Sequence, residues 1–162
     1  MITILKRKEC KMILVYTDGS TKGNGTEESI GGYGVMIQVG KDKSYYSGGP
    51  FENTTNNRME LMGALEGCKL AQRYADMGEI VGIHSDSAYL VNAYKQGWYV
   101  KWRENGWITS KNTVVKNRDL WEQLIPFFEN PQYEFYKVKG HAGVSGNEMV
   151  DCLAKGAAVK EK

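Results

Sequence analysis

No stretch of this sequence is apolar for long enough to span a membrane, and the N-terminal MITILKRKEC is too short an apolar segment for a secretory leader. Cysteine is scarce: Cys10, Cys68 and Cys152 are odd in number and widely spaced, with no Cys-x-x-Cys pair and no zinc pattern. That excludes a disulfide scaffold and leads us to expect a soluble protein of a reducing compartment, the cytoplasm. Net charge is also small, +2 over 162 residues, so a nucleic-acid partner cannot be read from the overall balance and must be sought in local charge. Repeats, low-complexity tracts and linkers are missing as well. What is present, 41% hydrophobic and 25% charged residues, excludes disorder and suits one domain over residues 1–162. Residues 1–11 read as a flexible basic arm or a short extra strand, and 159–162 as a tail.

Periodicity supplies the elements. Met12–Thr17 is a short apolar run rich in β-branched and aromatic residues, a buried strand, and Tyr33–Val39 and Lys43–Ser47 resemble its neighbours around a Gly40-Lys41 turn. Asn57–Tyr74 changes period, with Leu61, Leu65 and Cys68 on one helical face. Ile80–His84 reads as another buried strand and Ser87–Lys95 as a helix. Asn117–Glu129 reads as a helix that Pro126 should kink or end early. Tyr133–Lys139 alternates like a strand. Ser145–Ala158 is a helix opened by a Ser145-x-x-Glu148 capping box. Three strands followed by alternating helices and strands predict one mixed α/β domain.

Four acids stand at the boundaries of these elements. Asp18 ends the first strand and opens Asp-Gly-Ser; Glu60 lies near the start of the first helix; Asp86 closes EIVGIHSD; Asp151 lies early in the last helix. Each has an ordinary explanation. Asp18-Gly19 is a common turn pair, Glu60 would be a capping-box acid three residues after Asn57, Asp86 a helix-start acid, and Asp151 an i, i+4 partner of Lys155. Their coincidence invites a different one, since carboxylates held at element ends can converge, and convergent carboxylates bind hard cations such as Mg²⁺.

Six motifs run through the chain in order: YTDGS followed by Gly23-Asn24, GGYG at 31–34, TTNNRMEL at 54–61, SDS at 85–87, KGHAG at 139–143 and NExxD at 147–151. Together they resemble type 1 ribonuclease H of the bacterial kind, from about Met12 to Ala158. The resemblance implies the ribonuclease H-like fold, an α/β fold with a five-stranded mixed sheet, three antiparallel strands then two parallel, flanked by helices. It implies a monomer that hydrolyses the RNA strand of RNA–DNA hybrids, leaving 5′-phosphate and 3′-hydroxyl ends. Its cofactor would be a pair of Mg²⁺ ions, with Mn²⁺ a substitute, held by Asp18, Glu60, Asp86 and Asp151. Asp18 would bridge the two ions, and His141 would shuttle a proton or assist product departure.

The same resemblance assigns substrate contacts to Gly23 and Asn24, and to Thr55, Asn56 and Asn57, the last three having helix capping as their ordinary alternative. Where the family commonly has a glutamine touching the minor groove, this chain has Ala88. Local charge adds support that does not depend on the motifs. Between Lys95 and Arg118 six basic residues face the single acid Glu104, a local +5 that leaves −3 elsewhere, and Trp98, Trp102 and Trp107 are interleaved with it. A basic, aromatic segment neutralises phosphates and covers sugars, which makes Trp98, Lys101, Trp102 and Arg103 further candidates in a basic protrusion. The alternative is a solvated helix anchored by its tryptophans. Two other classes compete: a non-catalytic module binding hybrid or double-stranded RNA, which would not need the acids, and a transposase or integrase core, which ordinarily carries extra DNA-binding domains.

Overall fold

The computed structural model describes residues 12–139 and 145–159. Five strands form one sheet: β1 (Ile13–Lys22), β2 (Ile30–Val39), β3 (Asp42–Glu52), β4 (Val81–Ser85) and β5 (Tyr133–Lys137). Their order is β3-β2-β1-β4-β5, with β1, β2 and β3 antiparallel and β4 and β5 parallel to β1. The helices are α1 (Asn56–Leu70), α2 (Gln72–Asp76), α3 (Ala88–Gln96), α4 (Trp98–Asn105), α5 (Arg118–Phe128) and α6 (Ser145–Ala157). The expected mixed sheet flanked by helices is therefore what the chain forms.

Alternation along β1 explains the layers. Ile13, Val15 and Thr17 are buried on the face that α1 covers, where they meet the Leu61, Leu65 and Cys68 stripe. Trp121, Leu124 and Phe128 of α5, with Phe135 of β5, continue this core. The opposite face of β1 and β2 is covered by α6.

Several boundaries differ from those read in the sequence. β1 does not stop at Thr17; it runs to Lys22, because β2 supplies an antiparallel partner for every residue of the extension, from Asp18 opposite Gly34 to Lys22 opposite Ile30. A local Asp-Gly turn preference is overridden by that ladder. β2 accordingly begins at Ile30 rather than Tyr33, and β3 is longer than Lys43–Ser47, while Gly40, at φ +62°, makes the two-residue turn between them. α1 begins one residue early and ends at Leu70, where Ala71 separates it from α2. Its cap is Thr55, whose Oγ1 accepts a hydrogen bond from the Arg58 N–H at 3.1 Å. Pro126 does not end α5, which continues to Phe128: so near the C-terminus, only the bond its missing N–H would have made is lost. β5 stops at Lys137, short of Lys139, and α6 ends at Ala157 rather than Ala158. Residues 1–11, the Ser145 side chain and the 160–162 part of the tail lie outside what is described.

Candidate metal centre and nucleic-acid groove

Sheet register brings two of the acids together. β1 pairs with β4 only as far as Thr17 opposite Ser85, so Asp18 is the first residue of β1 beyond the end of β4, and Asp86 is the first residue after it. The carboxyl-terminal edge of a shortened parallel strand is thus where the two carboxylates meet.

Two glycines admit the helices that carry the others. A Cβ on Gly19 would lie 2.5 Å from the Glu60 backbone nitrogen, so α1 rests directly on β1 at the residue beside Asp18. A Cβ on Gly34, the register partner of Asp18, would lie 2.6 Å from the Val150 carbonyl oxygen. α6 therefore presses on β2 one residue before Asp151, whose carboxyl reaches Asp18. One oxygen each from Asp18, Glu60 and Asp86 lie within 4.8 Å of one another. Asp151 adjoins this trio through Asp18 while also pairing with Lys155 at 2.9 Å, so its ordinary i, i+4 explanation holds alongside.

The other three ordinary explanations do not survive. Glu60 is five residues beyond the Thr55 cap and takes no part in capping. Ser87, not Asp86, caps α3, its Oγ accepting from the Leu90 N–H at 3.2 Å. Nor is Asp18 in a turn.

Electrostatics make the cluster costly as it stands. Burial, then the Asp86 charge, push the Asp18 carboxyl up to about 7, against partial relief from Glu60 and the Gly19 N–H, which donates to Oδ1 at 2.9 Å. Burial, followed by the charges of Asp18 and Asp86, raises Glu60 well above the usual carboxylate range. Glu60 Oε2 is buried and accepts no hydrogen bond. Oxygen-only donors, crowded negative charge and an orphaned buried oxygen fit a hard divalent cation.

One helical turn from Glu60, the start of α1 forms a wall of a cavity of about 900 Å³. Thr55, Asn56 and Asn57 line it together with Asn24, whose Oδ1 accepts from the Asn56 N–H at 2.9 Å. Ser29 ties the same β1–β2 loop to the helix entrance, its Oγ accepting from the Thr54 N–H at 2.8 Å. Trp98, Lys101 and Trp102 of α4 line the other side. Trp102 also packs at a tilt against Trp107 and Trp121, at 5.7 and 5.3 Å between ring centroids, so it both anchors α4 and faces the cavity.

Two of the predicted contacts are not among the lining residues. Gly23 lies outside the wall, and Arg103 turns to Glu129, with bonds of 3.1 and 3.2 Å. His141 lies outside the described residues. Sequence reasoning did not name Tyr89 or most of the residues from Ile108 to Asn117 as contacts, although the latter fall in the basic stretch from Lys95 to Arg118; they line the cavity, with a β-bridge between Ile108 and Val114. Asn117 was read only as the start of a helix. Its left-handed backbone, φ 63°, is invisible to periodicity.

Known proteins resemble this chain over most of its length. The RNase H family profile matches residues 10–159. A ribonuclease H of Thermoanaerobacter sp. (strain X514) is 41% identical over 143 residues, covering 88% of this chain and 87% of its own length. Among solved structures, LC9-RNase H1, a type 1 RNase H with the type 2 active-site motif, superposes with a TM-score of 0.68 at 29% identity over 91% of this chain and 72% of its own. LC11-RNase H1, solved in complex with an RNA/DNA hybrid, shares the fold with a TM-score of 0.63 at 24% identity, over 90% of this chain and 96% of its own.

Proposed function

The chain belongs to the RNase H family and is a ribonuclease H, and from that premise we propose that it cuts the RNA strand of RNA–DNA hybrids internally, leaving 5′-phosphate and 3′-hydroxyl ends. The observation that carries this reading is the convergence of three carboxylate oxygens within 4.8 Å, with Glu60 Oε2 buried and orphaned, one helical turn along α1 from the residues that line the cavity.

Asp18, Glu60, Asp86 and Asp151 would hold two Mg²⁺ ions, or Mn²⁺ in their place. Bound there, the ions would supply an activated water and neutralise the departing 3′ oxygen. The chain's own part is to arrange charge and substrate. Asp18, central in β1 and interacting with the other three carboxyls, would be the shared ligand, and by the family resemblance Glu60 and Asp86 would complete one side and Asp151 the other. Asn24, Thr55, Asn56 and Asn57 offer hydrogen-bonding groups one turn before Glu60, where 2′-hydroxyls and phosphates of the bound strands would pass. Trp98 and Trp102 give flat faces to sugars or bases, and Lys101 a cation to phosphate. His141, on the segment preceding α6, would take up or deliver a proton to the leaving group. The proposal includes a monomer acting in the cytoplasm. Among the described residues no helix is long and apolar enough to cross a membrane, and Cys68 and Cys152 are free thiols.

Labelled RNA–DNA, RNA–RNA and DNA–DNA duplexes incubated with Mg²⁺ test the reading. We expect cutting of the RNA strand of the hybrid alone, stopped by a chelator. Binding of hybrid without metal-dependent cutting would instead indicate a recognition module.

A further inference from the structure

Arg58 does not line the groove, yet it bonds to a residue that does. Its guanidinium forks onto Asp119, with Nη1 to Oδ1 at 3.0 Å and Nη2 to Oδ2 at 2.7 Å, and Nη1 also donates to Asn117 Oδ1 at 3.3 Å. The Asp119 hydrogen bonds keep Arg58 firmly charged, and Arg58 in turn holds the Asp119 carboxyl below its ordinary range. Because this cation is already paired, it offers the groove little free charge.

Asn117 occupies the cap position of α5 in a left-handed conformation, but its side chain makes no capping bond there. An asparagine at that position ordinarily accepts from the helix's own first amides. Here its acceptor is turned to Arg58 instead. A guanidinium has donors only, so the Asn117 atom facing it must be the oxygen, and Nδ2 is left for whatever enters the cavity. Asn24, also on the lining, repeats the arrangement: a backbone N–H occupies its oxygen, leaving its Nδ2. With Lys101 and Lys116 also lining the space, the wall is biased toward donors. Phosphodiester oxygens are acceptors only, so such a wall suits a nucleic-acid backbone.

We propose that Arg58 is a positioning residue for this groove: forked onto Asp119, it holds the Asn117 oxygen and so presents the Asn117 amide NH₂ to a backbone phosphate. The proposal rests on reading the groove as the hybrid-binding surface. Lysine at this position would keep the charge and lose the fork, since its single ammonium cannot match a carboxylate and a carboxamide in one plane.

The test is a double-mutant cycle on RNA–DNA hybrid with wild type, Arg58→Lys, Asn117→Ala and the double variant, each assayed well below its own melting temperature. In each single variant KM is expected to rise about fivefold with kcat within about twofold, and the double variant to be no worse than Asn117→Ala alone. A purely structural Arg58 would lower the melting temperature without moving KM. An unchanged KM for Arg58→Lys, or effects that multiply in the double variant, overturns the proposal while leaving the enzyme's function intact. A wild type that does not cut hybrid removes the functional reading itself. Should Arg58→Lys fail to fold, Asp119→Asn takes its place in the cycle under the same criteria, because it removes the carboxylate that anchors the fork.

Discussion

In the middle of β1, Asp18 is a carboxyl group only 3% exposed, held where burial and the neighbouring Asp86 oppose its charge. The consequence for stability has a definite sign. Well below its ordinary value of 3.8 the group is neutral both folded and unfolded and costs nothing. Between its ordinary value of 3.8 and about 7 the unfolded chain ionises first, so the fold loses stability progressively as pH rises, and above that the loss is constant. Without metal, Asp18→Asn should therefore stabilise the protein by roughly 2 to 4 kcal/mol at pH 8 and by nothing near pH 3. Urea unfolding in EDTA across that range checks this; a destabilised variant at pH 8 would mean that Asp18 is satisfied by partners rather than strained. Sequence alone singled out the four acids but misjudged their surroundings. Glu60 looked like a capping acid because Asn57 is a good cap by type, whereas the chain uses Thr55, and which of several polar residues caps a helix depends on where the preceding strand delivers the backbone.

At the scale of elements, the centre depends on helices seated without side chains beneath them. Gly19→Ala would put a methyl group 2.5 Å from the backbone of α1, which is not free to yield as a side-chain tip would be. We expect a loss of roughly 1 to 3 kcal/mol in unfolding stability together with weakened metal binding, measured by urea denaturation and calorimetric Mg²⁺ titration. Normal metal affinity in a folded variant would show that Glu60 does not depend on this seat. The strands and helices were largely legible as periods of two and of 3.6. Their ends were not: β1 passes through Asp-Gly because β2 pairs with it, and α5 passes Pro126 because Phe128 continues the buried face begun by Leu120 and Trp121. Such decisions are made by contacts far away in sequence.

The whole molecule concentrates positive charge between Lys95 and Arg118, yet the fold does not spend all of it on one surface. Lys101 lines the groove, whereas Arg103 is paired with Glu129 and sits over the Tyr99 ring at 5.4 Å. The two should separate experimentally: Lys101→Gln should weaken hybrid binding and lower the salt slope by about one, and Arg103→Gln should leave the slope nearly unchanged. Equal losses in binding measured from 50 to 200 mM salt, a range of about fourfold, would put Arg103 on the substrate as well. The mixed sheet of three antiparallel strands then two parallel followed from the family resemblance rather than from periodicity, which shows that strands exist but not which ones pair. Register then did what motifs could not, setting Asp18 and Asp86 side by side at the end of β4.

The measurement that bears most directly on the four-acid centre is the rate of RNA-strand cutting in a labelled hybrid as Mg²⁺ is raised from zero to saturation, for wild type and Asp18→Asn. The account predicts no cutting without Mg²⁺, a saturable rise for wild type, and at least about a thousandfold lower rate for the variant at every concentration. Cutting by Asp18→Asn that approaches wild type at saturating Mg²⁺, or wild-type cutting that persists in a chelator, would contradict it.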